Sequence, residues 1–128
     1  MGTPVNIKPI DTSTPGANSN TYSMFNSVTT FGGGLLQVRG VSRLEFSVAN
    51  DQAGTLKFYF STDKGTTWTQ VGGSITVNAK ASTDINGPYD FLCDPFSDVK
   101  LDWVNGGSAQ GTWIPAISMV IGDRAAAV

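Results

Sequence analysis

A chain of 128 residues and 13.5 kDa suits one domain, and 40% hydrophobic with only 14% charged residues excludes general disorder. The net charge is −2 and the eight Lys and Arg residues form no run, which argues against binding nucleic acid through its phosphates. No stretch approaches the ~20 apolar residues of a membrane span, the first residues show no signal-peptide core, and the expectation is synthesis in a cytoplasm.

Residues 1–21 hold three of the six prolines, Pro4, Pro9 and Pro15, among Thr, Ser, Asn and Gly. Val5, Ile7 and Ile10 are the apolar positions. The expectation is an extended N-terminal arm with little core of its own, which orders by lying on a neighbouring subunit or else frays. Residues 22–128 then form the folded domain.

A first strand is expected over residues 22–28, carrying Tyr22, Met24 and Phe25. Gly32-Gly33-Gly34 is a turn, since neither a helix nor a Lys-Ser/Thr pair follows to make a phosphate loop. A short strand over 35–39 ends at a bend or bulge, Gly40. Residues 41–49 alternate, with Leu44, Phe46 and Val48 inward and Arg43, Glu45 and Ser47 outward. A loop over 50–54 leads into a strand over 55–61, and the two strands are expected to pair as a hairpin.

Leu56, Phe58 and Phe60 alternate with Lys57, Tyr59 and Ser61, and residues 61–68 then turn the chain. Asp63 accepts bonds from loop N–H groups, Gly65 supplies a positive φ, and Thr66 and Thr67 restart an extended chain. Trp68 folds over the hairpin base. Ile75 and Val77 mark an inward-facing strand over 74–79, and residues 80–88 are a polar stretch with turn residues Asn86-Gly87-Pro88. Residues 89–93 are extended. Val99, Leu101 and Trp103 then alternate with Asp98, Lys100 and Asp102, the pattern of a strand with one solvated face. A loop begins at Asn105-Gly106-Gly107, and the last strand, 113–121, turns Ile117, Met119 and Ile121 inward, with Pro115 implying an edge or a bulge. Eight or nine short strands with turn signals every eight to twelve residues predict an all-β fold, a single antiparallel β-sandwich of jelly-roll type.

Reactive groups do not converge in the sequence. The chain has no histidine and one cysteine, Cys93, so it has neither an intrachain disulfide nor the usual triads and zinc sites. Cys93 lies beside Phe91, Leu92 and Phe96 and is expected to be a small buried apolar residue. Asp94, Asp98 and Asp102 suggest calcium at first, but the alternation sets Asp98 and Asp102 on a solvated face with Lys100 between them. The expectation is a protein that is not an enzyme, with no cofactor and no metal. Tyr59, out of phase with the inward residues of its strand, is the clearest outer-face aromatic.

Ser61, Asp63, Gly65, Thr67 and Trp68 spell Ser-x-Asp-x-Gly-x-Thr-Trp, which is similar to the Asp-box hairpin repeated in sialidase propellers and found singly in other β-proteins. With one copy and three arginines (Arg39, Arg43 and Arg124), the chain lacks the blades and arginine cluster of a sialidase. A wider resemblance runs over residues 46–121. The Asp-Gln-Ala-Gly-Thr-Leu strand entry at 51–56, the hairpin at 61–68 and the Val-Asn-Gly strand end at 104–106 resemble small β-sandwich virion proteins of tailed bacteriophages. The resemblance implies a structural role in the particle. The leading expectation is a decoration or cement protein on the outer capsid surface, with the major capsid protein as partner, acting as a homo-oligomer such as a trimer. The alternatives are a tail- or fibre-associated module that binds host glycans and a secreted carbohydrate-binding module.

Overall fold

The strand periods read above fold into two antiparallel sheets. In the computed structural model, residues 4–17, 19–31, 39–80, 84–93 and 98–123 are described. Their strands are β1 (Pro4–Ile7), β2 (Thr21–Asn26), β3 (Arg39–Asn50), β4 (Gly54–Ser61), β5 (Thr69–Gln70), β6 (Ile75–Val77), β7 (Asn86–Leu92), β8 (Asp98–Asn105) and β9 (Trp113–Asp123), with one short helix, α1 (Ser27–Phe31). One sheet runs β1-β9-β3-β7; the other runs β2-β8-β4, with β5 and β6 sharing the far edge of β4. The all-β sandwich expected from the alternation is what forms. The turn at 32–34 and the strand expected over 35–38 lie outside the described residues.

The core sits between the sheets. Leu44, Phe46 and Val48 of β3 and Ile117 of β9 face Leu56 of β4 and Leu101 and Trp103 of β8, and each is at most 2% exposed. Met24 and Phe25 are both fully buried although adjacent in sequence. A bulge between Ser23 and Phe25 opposite β8 makes this possible, because the extra residue turns both side chains inward. After Asn26 the strand stops, and the Asn26 carboxamide caps α1 by accepting from the backbone N–H of Val28 (3.0 Å) and Thr29 (3.3 Å). The sequence pattern carried no helical period because one turn is too short to show one.

Three expectations need correction. β3 and β4 do not pair: β3 lies between β9 and β7, and β4 pairs with β8. Residues 51–53 carry the chain from one sheet to the other, and an inter-sheet corner leaves the same alternation in both strands as a hairpin would. Asn86, Gly87 and Pro88 begin β7 rather than forming a turn. β7 is an edge strand and its pairing with β3 shifts between Phe46 and Val48, so a proline is tolerated there. Finally, the face of β8 that carries Asp98 and Asp102 is not solvated, since these residues are 6% and 8% exposed. β8 is a middle strand, and the neighbours Ser23, Lys57 and Ser61 close around its carboxylates.

The segment before β2 is extended as expected, but its partners lie in its own chain. Val5 and Ile7 of β1 pair with Met119 and Ile117 of β9. Three residues later the chain reaches the other sheet, where Ile10 N donates to Met24 O (3.2 Å) and Asp11 N to Ser23 O (2.9 Å). Pro15 O then accepts from Gln110 N at 3.0 Å. The segment therefore spans both sheets along one side of the sandwich. β1 covers only Ile117–Val120 of β9, so Pro115 lies where β9 has no described neighbour on that side, as its missing N–H requires.

Gly54 is the closest approach in the core. A Cβ there would overlap the indole ring of Trp103. Gly54→Ala is therefore expected to cost about 1–3 kcal/mol or more, the range for overpacking. Gly73→Ala, where a Cβ meets nothing within 4 Å, should leave stability unchanged. Urea unfolding of the two variants checks the contrast, and equal midpoints would contradict the packing described.

Candidate functional site

The turn between β4 and β5 is organised by two short side chains. Ser61 Oγ, buried at the end of β4, accepts from Gly65 N (2.9 Å) and Asp63 N (3.3 Å) and donates to Asp63 Oδ1 (2.6 Å). The same carboxylate oxygen accepts from Thr67 N at 2.8 Å. Lys64 and Gly65 take φ of 59° and 88°, and the second of these is why position 65 is glycine. Asp63 thus gathers the loop as the sequence suggested, but Ser61 is the second hub, a role the pattern hid because Ser61 also completes the strand alternation.

Trp68 is half-buried. Its ring lies beside the Gly65 backbone, which also abuts Val28 of α1. Lys100 Nζ sits 4.7 Å from the centroid of Tyr59 and 5.1 Å from that of Trp68, between the two rings. The register explains the cluster: Tyr59 is opposite both Lys100 and Gln70, and Lys57 is opposite Asp102. Lys100 Nζ also lies 3.7 Å from Asp102 Oδ2. Burial pushes the Asp102 carboxyl above its ordinary value, against the pull of Lys100 and Lys57. Burial, and then the charge of Asp102, raises the Tyr59 phenol. The outer face of this sheet therefore carries two aromatic rings around a cation, which strand alternation alone indicated only for Tyr59.

A second feature lies where β4 and β7 approach at one end of the sandwich. Phe58, Phe60, Val71, Cys93 and Val99 line an apolar groove with Leu92 at its rim. Phe58 and Phe91 stack with centroids 4.7 Å apart. Leu92, the chain neighbour of Cys93, is 84% exposed. It is one step out of phase with Tyr89 and Phe91, so the strand period already pointed it outward. Cys93 is partly buried, and burial pushes its thiol up to about 12, far from a reactive thiolate. Phe96 and Asp94 lie outside the described residues.

Of the residues singled out in the sequence, Ser61, Asp63, Gly65, Thr67 and Trp68 come together at this hairpin. Val5, Ile7 and Ile10 do not join them; they lie along the β9 and β2 edges. Among the described residues, no group of three or more His, Cys, Asp or Glu side chains is placed to hold a metal ion, and no helix is long and apolar enough to cross a membrane.

The fold is an all-β sandwich with a known counterpart. The crystal structure of PBSX exported protein XepA matches this chain with a TM-score of 0.64 at 18% sequence identity, over 92% of this chain and 37% of that one. The chain thus spans little more than a third of that protein's length, and the likeness is one of fold. No family model matches the chain, and no curated protein matches it.

The bonds to Asp63 hold its carboxyl below the ordinary value, the Ser61 hydroxyl first and Thr67 N–H next. A carboxylate with a depressed folded pKa adds stability above the unfolded value near ~4, and that stability is lost as pH falls through the folded value. Asp63→Asn should therefore melt lower than the parent at neutral pH, with the gap closing on acidification below about pH 4. Asp90, held low by Arg43, is common to both proteins and cancels in the comparison. A gap that stays constant between neutral pH and pH 2 would show that the charge of Asp63 does not organise the loop.

Proposed function

We propose that this chain is a structural protein of a bacteriophage particle, a decoration protein that binds the outer capsid surface as a homo-oligomer and performs no catalysis. The observation that carries the reading is where its unsatisfied chemistry lies. Exposed apolar side chains, Leu92 and Val71 at the groove and Ile114 on β9, stand on the surface of a chain with only 14% charged residues. Surfaces of that kind serve contact with a partner rather than turnover. The phage assignment is supported by the sequence resemblance over residues 46–121, and the chain's sandwich is the fold shared with the PBSX exported protein XepA. A cement role follows from binding only the assembled lattice, which stabilises it by mass action.

One observation favours a second reading. Tyr59 and Trp68 around Lys100 form the kind of aromatic surface on which sugar rings stack, as a glycan-binding tail module would require. Copy number separates the two. Quantitative mass spectrometry of purified particles is expected to find this chain at a level comparable with the major capsid protein. A level matching the tail proteins, together with a specific hit on a glycan array that Trp68→Ala abolishes, would replace the first reading by the second. Absence from particles would overturn both.

A further inference from the structure

The segment that spans the two sheets has almost no slack between its first two anchor points. Ile7 is the last residue paired with β9, and Ile10 N is the first donor to β2. Only Lys8 and Pro9 stand between them. Packed sheets lie about 10 Å apart, and three Cα–Cα steps of a trans chain reach roughly 10–11 Å at most. Pro9 also restricts Lys8 to extended conformations, so the link is stiff as well as short. Lys8 is exposed and Pro9 partly buried, and both border an open concavity lined also by Asn6, Glu45, Ser47, Pro115 and Ser118.

β1 pairs with one strand of its own chain. It makes four residue pairs, all with β9, and Ile7 is only partly buried against the core. β9 is far better fixed, through eleven register pairs with β3 along its other side. If β1 leaves, the edge over Ile117–Val120 stays in place as a template for an extended strand. Its fitting occupant is already known, because that edge holds Pro4–Ile7 in register. A short hinge favours exchange between copies, since the link must cross the gap to return home but runs straight on to reach a neighbour.

We propose that two copies of this chain exchange β1, each donating Pro4–Ile7 to the Ile117–Val120 edge of the other. The pairs lost at home are regained in identical form across the two copies, so only the course of Lys8–Pro9 changes and the equilibrium depends on concentration. Ile10 and Asp11 remain on β2 of their own chain in either form. The exchange concerns how copies join, and it holds whether or not the chain coats a capsid.

Asn6 and Ser118 are directly opposed in the register, and antiparallel partners meet the Cα separation a disulfide needs. The test uses purified protein carrying Cys93→Ala. One sample adds Asn6→Cys and another adds Ser118→Cys; the two are unfolded, refolded together, oxidised and run without reductant. The expected product is a mixed disulfide dimer containing one chain of each kind. Inserting Gly-Ser-Gly between Lys8 and Pro9 should cut that dimer severalfold and let a chain carrying both substitutions close on itself. If no mixed dimer forms while the doubly substituted chain without the insertion closes internally, β1 stays home and the proposal is overturned. A mixed dimer unaffected by the insertion overturns the role given to the link, and absence of cross-linking in every form overturns the pairing itself.

Discussion

The side-chain amide of Asn105 is the joint on which the rest of this sandwich depends. It is 2% exposed, and both ends are fully used. Its oxygen accepts from Trp103 Nε1 (3.1 Å) and Gln110 Nε2 (2.9 Å), and its nitrogen donates to Gly16 O (2.8 Å) and Ser108 O (3.0 Å). Each buried group left without its partner costs about 1–3 kcal/mol, so four such bonds on one side chain fix the surrounding chain firmly. The bond to Trp103 orients the indole that lies over Gly54 and meets Trp113 of the opposite sheet at 4.9 Å. The bond to Gln110 continues to the crossing between the sheets, because Gln110 Nε2 also donates to Gln52 O and Gln110 Oε1 accepts from Gln52 N.

Through Gly16 the same amide reaches the segment that precedes β2. Asn105 sets where residues 15–16 lie, the bonds of Ile10 and Asp11 set where the chain enters the second sheet, and the two-residue link then determines how β1 meets β9. The tightness of this path makes the segment a clip across both sheets within one chain, and it is also the ground on which exchange of the outermost strand is proposed. Stability and the proposed exchange thus rest on one geometric limit, the reach of Lys8–Pro9 against the separation of the sheets.

Much of this was legible in the sequence. Strand period placed Leu44, Phe46, Val48, Leu56, Leu101 and Trp103 in the core, and the Ser61–Trp68 turn formed where its residue types required. The misreadings share a cause: alternation reports which face is apolar but not which sheet a strand joins or what covers its other face. β3 and β4 alternate alike whether paired or placed in opposite sheets. Asp98 and Asp102 look solvated until β2 and β4 are known to flank β8, and Ser27 reaches Asp98 from α1 (2.9 Å), a contact 71 residues apart in sequence. The site was legible only in part. Tyr59 could be read as outward, but the meeting of Lys100 with Trp68 needs the β4–β8 register, and Asn105 looked like the start of a loop because strand period says nothing of a side-chain amide that ties Trp103, Ser108 and Gln110 to Gly16, 89 residues away.

The central claim, that the segment before β2 is pinned to both sheets, is tested most directly by amide hydrogen exchange at single residues. Ile10 and Asp11 carry no strand assignment of their own, yet both donate to β2. Their amides should exchange slowly, together with those of β2, and should lose that protection in Asn105→Ala while the paired amides of β3 keep theirs. Ile10 and Asp11 amides that exchange as fast as an unfolded chain in the parent protein would contradict the account.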